Sequence, residues 1–240
     1  MKQKSMVLLG VGTALGAALA RWQMARFFAE QPEYEVEDRL GPLEIRHYDR
    51  VVRAETTVEA QTWEDALQEG FRRLASYIFG ANRPRELALS ELELQGDQAT
   101  PQPTRAQKIA MTAPVNVRTE RHTLSNLASE HAAQAPHSDE KFTVTFTMPK
   151  ERSTGSLPVP EDTRVRLRSV PPRRVAVLRY SGRHDARRVA EKARQLLEAV
   201  DRAGLPTRGE PEFAGYDPPT TLPWLRRNEV WIELGRPTAP

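Results

Sequence analysis

The chain carries the same order of predicted elements twice. Residues 43–80 contain LEIRHY, VVRAETTV and WEDALQEGFRRLASYIFG, which are typical of strand, strand and amphipathic helix. Residues 164–204 repeat that order with VRLRSV, RRVAVLRYSG and DARRVAEKARQLLEAVDRAG. A duplicated unit of this kind cannot bury its apolar face alone, so we expect the two halves to close on each other around one core. We also expect an apolar cleft between them, where a ligand would bind.

The first helix is the most clearly marked element. Thr62 is a candidate N-cap, and Gly80 with Asn82 supplies a stop. Between them the apolar residues recur at helical spacing, at Trp63, Ala66, Leu67, Gly70, Phe71, Leu74, Ala75 and Ile78. The second helix has a similar apolar face and stops at Gly204. Each half therefore contributes one amphipathic helix.

Alternating patterns predict the strands. In LEIRHY one face carries Leu43, Ile45 and His47, and the other carries Glu44, Arg46 and Tyr48. Further strands are predicted at residues 34–36, 51–58, 87–94, 109–118 and 142–147, and within EFAGYDPP and NEVWIEL near the C-terminus. Halves that are rich in strands with one helix each indicate an α+β fold.

Composition narrows the class of protein. Hydrophobic residues at 39% and charged residues at 28% fit a globular protein with a core. The 35 Lys and Arg residues barely exceed the 32 Asp and Glu residues and are interspersed with them, so no nucleic-acid partner is expected. The chain has no cysteine, which excludes disulfides, thiolate metal sites, catalytic cysteines and thioether-linked heme.

The N-terminus predicts export. Lys2 and Lys4 precede an uncharged apolar run from Met6 to Ala20, and Arg21 follows. A basic start, an apolar stretch and a small-residue end resemble a secretory signal, with cleavage after Ala20. If it is not cleaved, the run could serve as a membrane anchor. We therefore expect residues 1–30 to be a signal peptide or anchor, residues 31–240 to be a single domain, and the protein to be periplasmic or anchored in the inner membrane. An ordinary buried N-terminal helix is the alternative.

No catalytic constellation stands out. The sequence contains no G-x-S-x-G, H-E-x-x-H, P-loop or Rossmann fingerprint. MTAPV (111–115) is interpreted as strand packing with a proline-constrained end, and RRNEVW (226–231) as a turn entering a strand. We predict no catalytic residues and no enzymatic activity.

Six segments in a fixed order carry a family resemblance. They are LEIRHYDR (43–50), YIFGANR (77–83), KIAMTAPV (108–115), FTMPKE (146–151), AGYDPP (214–219) and RRNEVWIEL (226–234). The chain resembles a bacterial member of the SOUL family of heme-binding proteins. The resemblance implies a distorted antiparallel β-barrel of two pseudo-symmetric halves, each with one helix, and non-covalent binding of heme or another porphyrin. It implies no established reaction.

A heme site needs an apolar slot, cations for the propionates and, in many proteins, an axial ligand for the iron. His47 is the candidate ligand, because the resemblance places a heme-ligating histidine in the EIRHY motif; the alternative is an ordinary strand side chain. On the first helix Phe71, Leu74, Ile78 and Phe79 are candidates for the apolar wall, and the alternative is that they simply pack the core. Arg72 and Arg73 are candidates for the propionates, or could be solvated. The resemblance implies that some family members carry basic side chains at the positions of Gln68 and Ser76, and these two residues depart from that pattern.

Other candidates are weaker. Met111 and Met148 are soft iron ligands by chemistry but typical core residues by position. His122, His131 and His137 have a spacing that fits no compact metal motif. His184 precedes the second helix, where a local role is expected.

Two functional classes remain open. The first is a heme- or tetrapyrrole-binding protein of the cell envelope, acting as a carrier, buffer or sensor. The second is an enzyme or binding module that acts on a small amphipathic molecule in the same cleft, with Glu55 and Glu229 as acids at hand. An envelope protein with an empty cleft is a third idea. The sequence does not predict the oligomeric state.

Overall fold

A computed structural model describes residues 29–85, 106–120, 124 and 140–235. The predicted leader up to residue 28, the predicted strand at 87–94 and the three loop histidines at 122, 131 and 137 lie outside the described residues. Within the described residues, no helix is both long and apolar enough to cross a bilayer.

Two long helices and one large sheet dominate the part of the chain that the structure describes. The elements are β1 (Tyr34–Leu40), β2 (Leu43–Tyr48), β3 (Val51–Ala60), α1 (Trp63–Phe79), β4 (Asn82–Arg83), β5 (Val115–Thr119), β6 (Glu140–Thr147), β7 (Val159–Pro160), β8 (Val165–Val170), β9 (Arg173–Tyr180), α2 (Ala186–Arg202), β10 (Thr207–Gly215) and β11 (Asn228–Leu234). A short 3₁₀ turn, Pro223–Leu225, precedes β11. Strands β4 and β7 form a separate small ladder.

The strand order shows how the two halves combine. The large sheet has nine antiparallel strands in the order β1-β2-β9-β11-β10-β5-β6-β3-β8. Without β1 this order is symmetric, because β5 and β10 meet at its centre and each half lends its first strand to the other. Thus β2 pairs with β9, and β8 pairs with β3. Tyr48 is opposite Arg173 in the first ladder, and Val170 is opposite Val51 in the second. In both ladders the last residue of the exchanged strand faces the first residue of its partner. The predicted repeat is confirmed, and it is an exchange of strands.

Short connections force this sheet to curl. In a flat sheet with strands ~4.8 Å apart, β2 and β3 would lie about 29 Å from each other. Only Asp49 and Arg50 separate them in the chain, and such a link spans at most ~11 Å. Pro171 and Pro172 join β8 to β9 in the same way. The sheet must therefore bend into a distorted barrel whose ladder is open between β1 and β8, and the expected α+β fold class is confirmed.

Both helices cover the outer face of this curled sheet. A barrel of about eight strands has room inside only for side chains. Helix α1 packs on β3, β6 and β8, and α2 packs on β9, β10 and β11. One continuous apolar cluster joins these layers, including Leu74 and Ile78 of α1, Leu196 of α2 and Phe213 of β10. The two halves thus share one core, as the sequence predicted.

Local chemistry fixes the ends of α1 where the sequence placed them. The Thr62 side chain accepts a hydrogen bond from the Asp65 backbone N–H at 3.1 Å. Gly80 ends the helix with a φ of 129°, a conformation that side chains rarely adopt. The Asn82 amide then donates to the Tyr77 carbonyl at 2.7 Å and to the Gln107 carbonyl at 2.8 Å. The bond to Gln107 holds the residues that follow the helix against the segment that contains Gln107.

Two predicted strand boundaries are wrong. The strand predicted at 109–118 begins only at Val115, because Pro114 has no N–H for a ladder. Before it, Thr112 donates its hydroxyl hydrogen to the Thr147 carbonyl and bridges to Glu30. Strand β10 begins at Thr207, earlier than predicted, and its register shifts between Arg208 and Glu212, around Pro211.

Candidate functional site

The inner face of the sheet, opposite the helices, carries buried charges. Glu229 of β11 is fully buried, and Arg46 of β2 is 1% exposed. Arg46 donates to both carboxylate oxygens of Glu229, from Nη1 to Oε2 at 2.9 Å and from Nη2 to Oε1 at 3.1 Å. The Arg46 guanidinium also lies over the Tyr34 ring, 4.2 Å from its centre. This contact ties β1, β2 and β11 together.

Further donors saturate the Glu229 carboxylate. Oε1 accepts from Arg227 Nε and Nη2 at 2.9 and 2.8 Å. Oε2 accepts from Tyr216 Oη at 2.9 Å and from Trp231 Nε1 at 2.7 Å. Burial alone would raise the pKa of Glu229, but the hydrogen bond and charge of Arg46, then those of Arg227, lower it. A buried carboxylate with every acceptor position filled is poorly suited to act as a general acid or base, which weakens the idea of Glu229 as a catalytic acid.

A second ion pair crosses the inner face. Arg53 of β3 donates from Nη1 to both carboxylate oxygens of Glu212 on β10, each at 3.2 Å. Buried hydroxyls of β6 lie on the same face, at Thr143, Thr145 and Thr147. We expected an apolar cleft between the two halves. In the described residues that space is instead filled, by the apolar core on the outer side of the sheet and by these polar side chains on the inner side.

An open cleft of about 320 Å³ lies at one end of the barrel. We call it the turn cleft, because the β2–β3 turn (Asp49, Arg50) forms one wall. Its apolar lining includes Pro32, Val51 and Met148, and its rim carries charges of both signs, at Glu30, Glu33, Arg50, Lys150 and Arg152. The volume lies at the lower end of the range for ligand sites.

His47 lies on the outer face of β2, two residues before Asp49 of this cleft. Its side chain is 39% exposed, and Nδ1 is 3.5 Å from Glu37 Oε1. Glu37 also accepts from Arg174 Nε at 2.7 Å. A carboxylate on one ring nitrogen commonly orients a histidine that ligates metal through the other. His47 therefore has the exposure and the neighbour that an axial ligand needs, and its ligation of iron stays a prediction.

The predicted helix residues lie on a different element from His47. Helix α1 packs against β3, β6 and β8, whereas His47 is on β2, which pairs with β1 and β9. Phe71 is 38% exposed and meets the Phe146 ring edge-on at 5.4 Å. Leu74 and Ile78 are fully buried in the core, so they could line a ligand slot only if the core opened.

The two predicted propionate partners already share one carboxylate. Arg72 donates to both oxygens of Glu69 at 2.7–2.9 Å, and Arg73 Nε donates to Oε1 at 2.6 Å. Arg73 also donates to the Thr57 carbonyl at 3.1 Å and is largely buried. Arg72 remains exposed. The candidate ligand is therefore on β2, and the candidate propionate partners are on α1, which packs on β3, β6 and β8.

The weaker candidates take ordinary positions. Met148 is buried in the core, and Met111 is 37% exposed. His184 lies 5.7 Å from the Phe213 ring, and burial and then the Arg226 charge lower its pKa. No cluster of three or more histidine, aspartate or glutamate side chains in the described ranges has the geometry of a metal site.

Sequence analysis missed the buried ion pairs, although one signal for them was present. Arg46 and Glu229 each alternate with buried apolar residues in their strands. When two strands are close together in a sheet and carry opposite charges that point inward, the charges are expected to form a buried pair. Finding the pair needed the strand order, which the exchange of first strands concealed.

Comparisons with known proteins agree with this architecture. The model of a family described as SOUL heme-binding protein matches residues 29–91 and 96–233. Heme-binding protein 2 of Homo sapiens is 28% identical over 215 residues, covering 87% of this chain and 88% of that protein. Heme-binding protein 2 of Mus musculus is 26% identical over 199 residues, covering 82% and 80%. Among solved structures, the EcmrR C-terminal domain aligns with a TM-score of 0.50 at 9% identity, covering 84% of this chain and 98% of that one. This last likeness concerns the fold alone.

Proposed function

The chain belongs to the SOUL heme-binding protein family, and from this we propose that it binds heme or a related tetrapyrrole non-covalently, as a carrier, buffer or sensor in the cell envelope. The observation that carries the proposal is the family match, which spans nearly all of the described fold. The absence of cysteine from the sequence leaves no thioether route to attachment.

The position of His47 supports iron coordination within this proposal. Its ring is partly exposed, Glu37 can accept a hydrogen bond from Nδ1, and the turn cleft begins two residues further along the chain. Arg174, paired with Glu37, is a further cation near the ring. Coordination through Nε2 would use the free side of the imidazole.

The envelope location rests on the sequence. The basic start and the apolar run Met6–Ala20 favour export, followed by cleavage or by anchoring in the inner membrane. N-terminal sequencing of the mature protein distinguishes these outcomes. A protein that begins at Met1 and fractionates with the cytoplasm would contradict the location and leave heme binding untouched.

A hemin titration tests the ligand. The full chain should give a saturable, shifted Soret band with a Kd of roughly 1 μM, which is about −8 kcal/mol. His47→Ala should change the spectrum, since loss of an axial ligand alters the electronic state of the iron. Two control variants are His184→Ala and the triple variant His122→Ala/His131→Ala/His137→Ala, and both should retain the wild-type spectrum.

The outcomes separate the parts of the proposal. A spectrum equal to that of free hemin plus an inert protein rejects tetrapyrrole binding. Saturable binding with an unchanged His47→Ala spectrum keeps the binding function and rejects His47 as the ligand. A spectrum that changes only in the triple variant assigns the iron to the loop histidines.

A further inference from the structure

An apolar tip stands out from the surface between β10 and β11. We call Leu222, Pro223, Trp224 and Leu225 the Trp224 tip. Trp224 is 67% exposed, Leu225 50% and Leu222 46%. Single exposed apolar side chains are normal on a protein surface, but three in four consecutive residues, one of them a tryptophan, indicate a contact site.

The exposure of this tip is built into the fold. The Leu225 N–H donates to the Leu222 carbonyl at 2.9 Å, and the Gly182 N–H donates to the Pro223 carbonyl at 3.0 Å. Arg226 Nε donates to the Thr221 carbonyl at 2.8 Å, and Arg226 Nη2 donates to Pro219 O. Backbone and side-chain bonds thus hold the turn in the shape that points its apolar side chains outward.

Arginines lie on one side of the tip. The loop before α2 touches it through Gly182 and continues into a shallow cleft lined by Arg183, Arg187 and Arg188. Arg183 and Arg187 are exposed and make no ion pair within the described part of the chain. The facing carboxylates are engaged, since Asp185 caps α2 and Glu191 pairs with Arg188 at 3.3 Å. His184, in the same loop, has a lowered pKa and adds no charge at neutral pH.

A side chain next to the tip contacts the first described residues of the chain. Arg227 Nη1 donates to Gln31 Oε1 at 3.0 Å, and Ala29 packs against the cluster that contains Tyr216 and Trp231. The residues that precede Ala29 in sequence include the predicted leader or anchor. Tethering through that segment would keep the folded domain close to a bilayer.

We propose that the Trp224 tip and the neighbouring arginines are a docking surface for an anionic lipid bilayer. Tryptophan favours the membrane interface, leucine side chains gain by leaving water, and free arginines attract anionic headgroups. This surface concerns the folded domain, so it does not depend on heme binding.

Vesicle binding of the full chain tests the proposal. Co-sedimentation is measured with phosphatidylcholine vesicles and with vesicles that also contain phosphatidylglycerol. The variant Leu222→Ser/Trp224→Ser/Leu225→Ser should lower the apparent partition coefficient on the anionic vesicles at least about tenfold. The matched control Phe79→Ser removes an apolar side chain that is 60% exposed on α1 and should change it less than about twofold. Arg183→Glu/Arg187→Glu should weaken binding to the anionic vesicles and leave phosphatidylcholine unaffected.

A leader that binds vesicles by itself would hide the contribution of the tip to co-sedimentation. Tryptophan fluorescence avoids this problem because it reports on the tip itself. In a Trp22→Phe background, Trp224 is the exposed tryptophan of the described fold, because Trp63 and Trp231 are each 2% exposed. Brominated anionic lipid should quench its emission. The proposal is wrong if brominated lipid does not quench Trp224 and the tip variant partitions onto anionic vesicles as the wild type does. A tip variant that instead converts a dimer to a monomer in size-exclusion chromatography also overturns it, because the occupant is then a second copy.

Discussion

Glu212 and Glu229 act as fixed anions inside the protein. Each carboxylate faces at least one arginine from a distant strand across the inner face. For Glu212, burial would raise the pKa, but the charges of Arg53 and Arg173 lower it from 4.5 to about 2. The two carboxylates therefore hold strands together as ions.

Acid should weaken the protein by protonating Glu212. Because its folded-state pKa is lowered, the pair stabilises the fold fully above pH 4.5, and this stabilisation is lost as the pH falls toward about 2. The shift in pKa corresponds to at most ~3.5 kcal/mol of stability. Urea unfolding measured across this pH window should show that the free energy of unfolding decreases as the pH is lowered from 4.5 to about 2.

Arg53→Met isolates the contribution of this pair. It should lower stability at neutral pH and flatten the slope between pH 4.5 and about 2, because Glu212 loses its main counter-charge. Lys141→Met is the control. Its ion pair with Glu59 is exposed, and it joins β3 to β6, the strand that also pairs with the Arg53 backbone. Parallel pH profiles for Arg53→Met and wild type would contradict the assignment.

For single residues, the sequence predicted the face of a strand on which a side chain lies better than it predicted the residue that the side chain contacts. Alternation correctly placed His47 with Leu43 and Ile45, and Arg46 with Tyr48 on the other face. It could not predict that Arg46 reaches Glu229, because that contact depends on β9 lying between their strands.

Helix α1 contains a glycine whose role is packing. A Cβ built on Gly70 would lie 2.3 Å from Val144 Cγ2 of β6, well inside contact distance. The absence of a side chain lets the helix lie close to the sheet. Glycine in a helix interior is otherwise unfavourable by up to about 1 kcal/mol relative to alanine.

Gly70→Ala should therefore destabilise the protein, by about 1–3 kcal/mol, despite the better helix propensity of alanine. Thermal unfolding gives the measurement, and Gln68→Ala on the exposed side of the same helix is the control with little expected change. Val144→Ala relieves the clash, so the double variant should lose less stability than the sum of the two single variants. A Gly70→Ala protein as stable as wild type would refute the close contact.

Elements with a local signature were predictable. Thr62 and Gly80 marked α1 at both ends, and alternation marked β2, β3 and β6. The errors fall where distant pairing decides the structure. Residues 109–114 are apolar enough for a strand but have no ladder beside Pro114, and β10 extends back to Thr207 because β11 offers it a partner.

For the whole molecule, strand exchange means that neither half has a complete sheet. Without residues 165–170, β3 is left as an unpaired edge, and without β2 the same is true of β9. Both helices also pack into one apolar cluster. Unpaired, flat edges and an open core make an isolated half unstable. The repeat predicted the shared core, and only the structure revealed the exchange.

Cutting the chain between the halves tests this interdependence. A protease site inserted between the exposed residues Gly155 and Ser156 can be cleaved in the folded protein, and the two fragments should stay together with a native circular dichroism spectrum. After separation in urea, each fragment alone should fail to refold, and mixing them should restore the spectrum. The midpoint of thermal unfolding should then rise with fragment concentration, since association stabilises the folded state by mass action. The uncut insertion protein controls for the added residues. A fragment that refolds alone to a cooperative, monomeric unit would show that the exchanged strands are dispensable and that each half carries its own core.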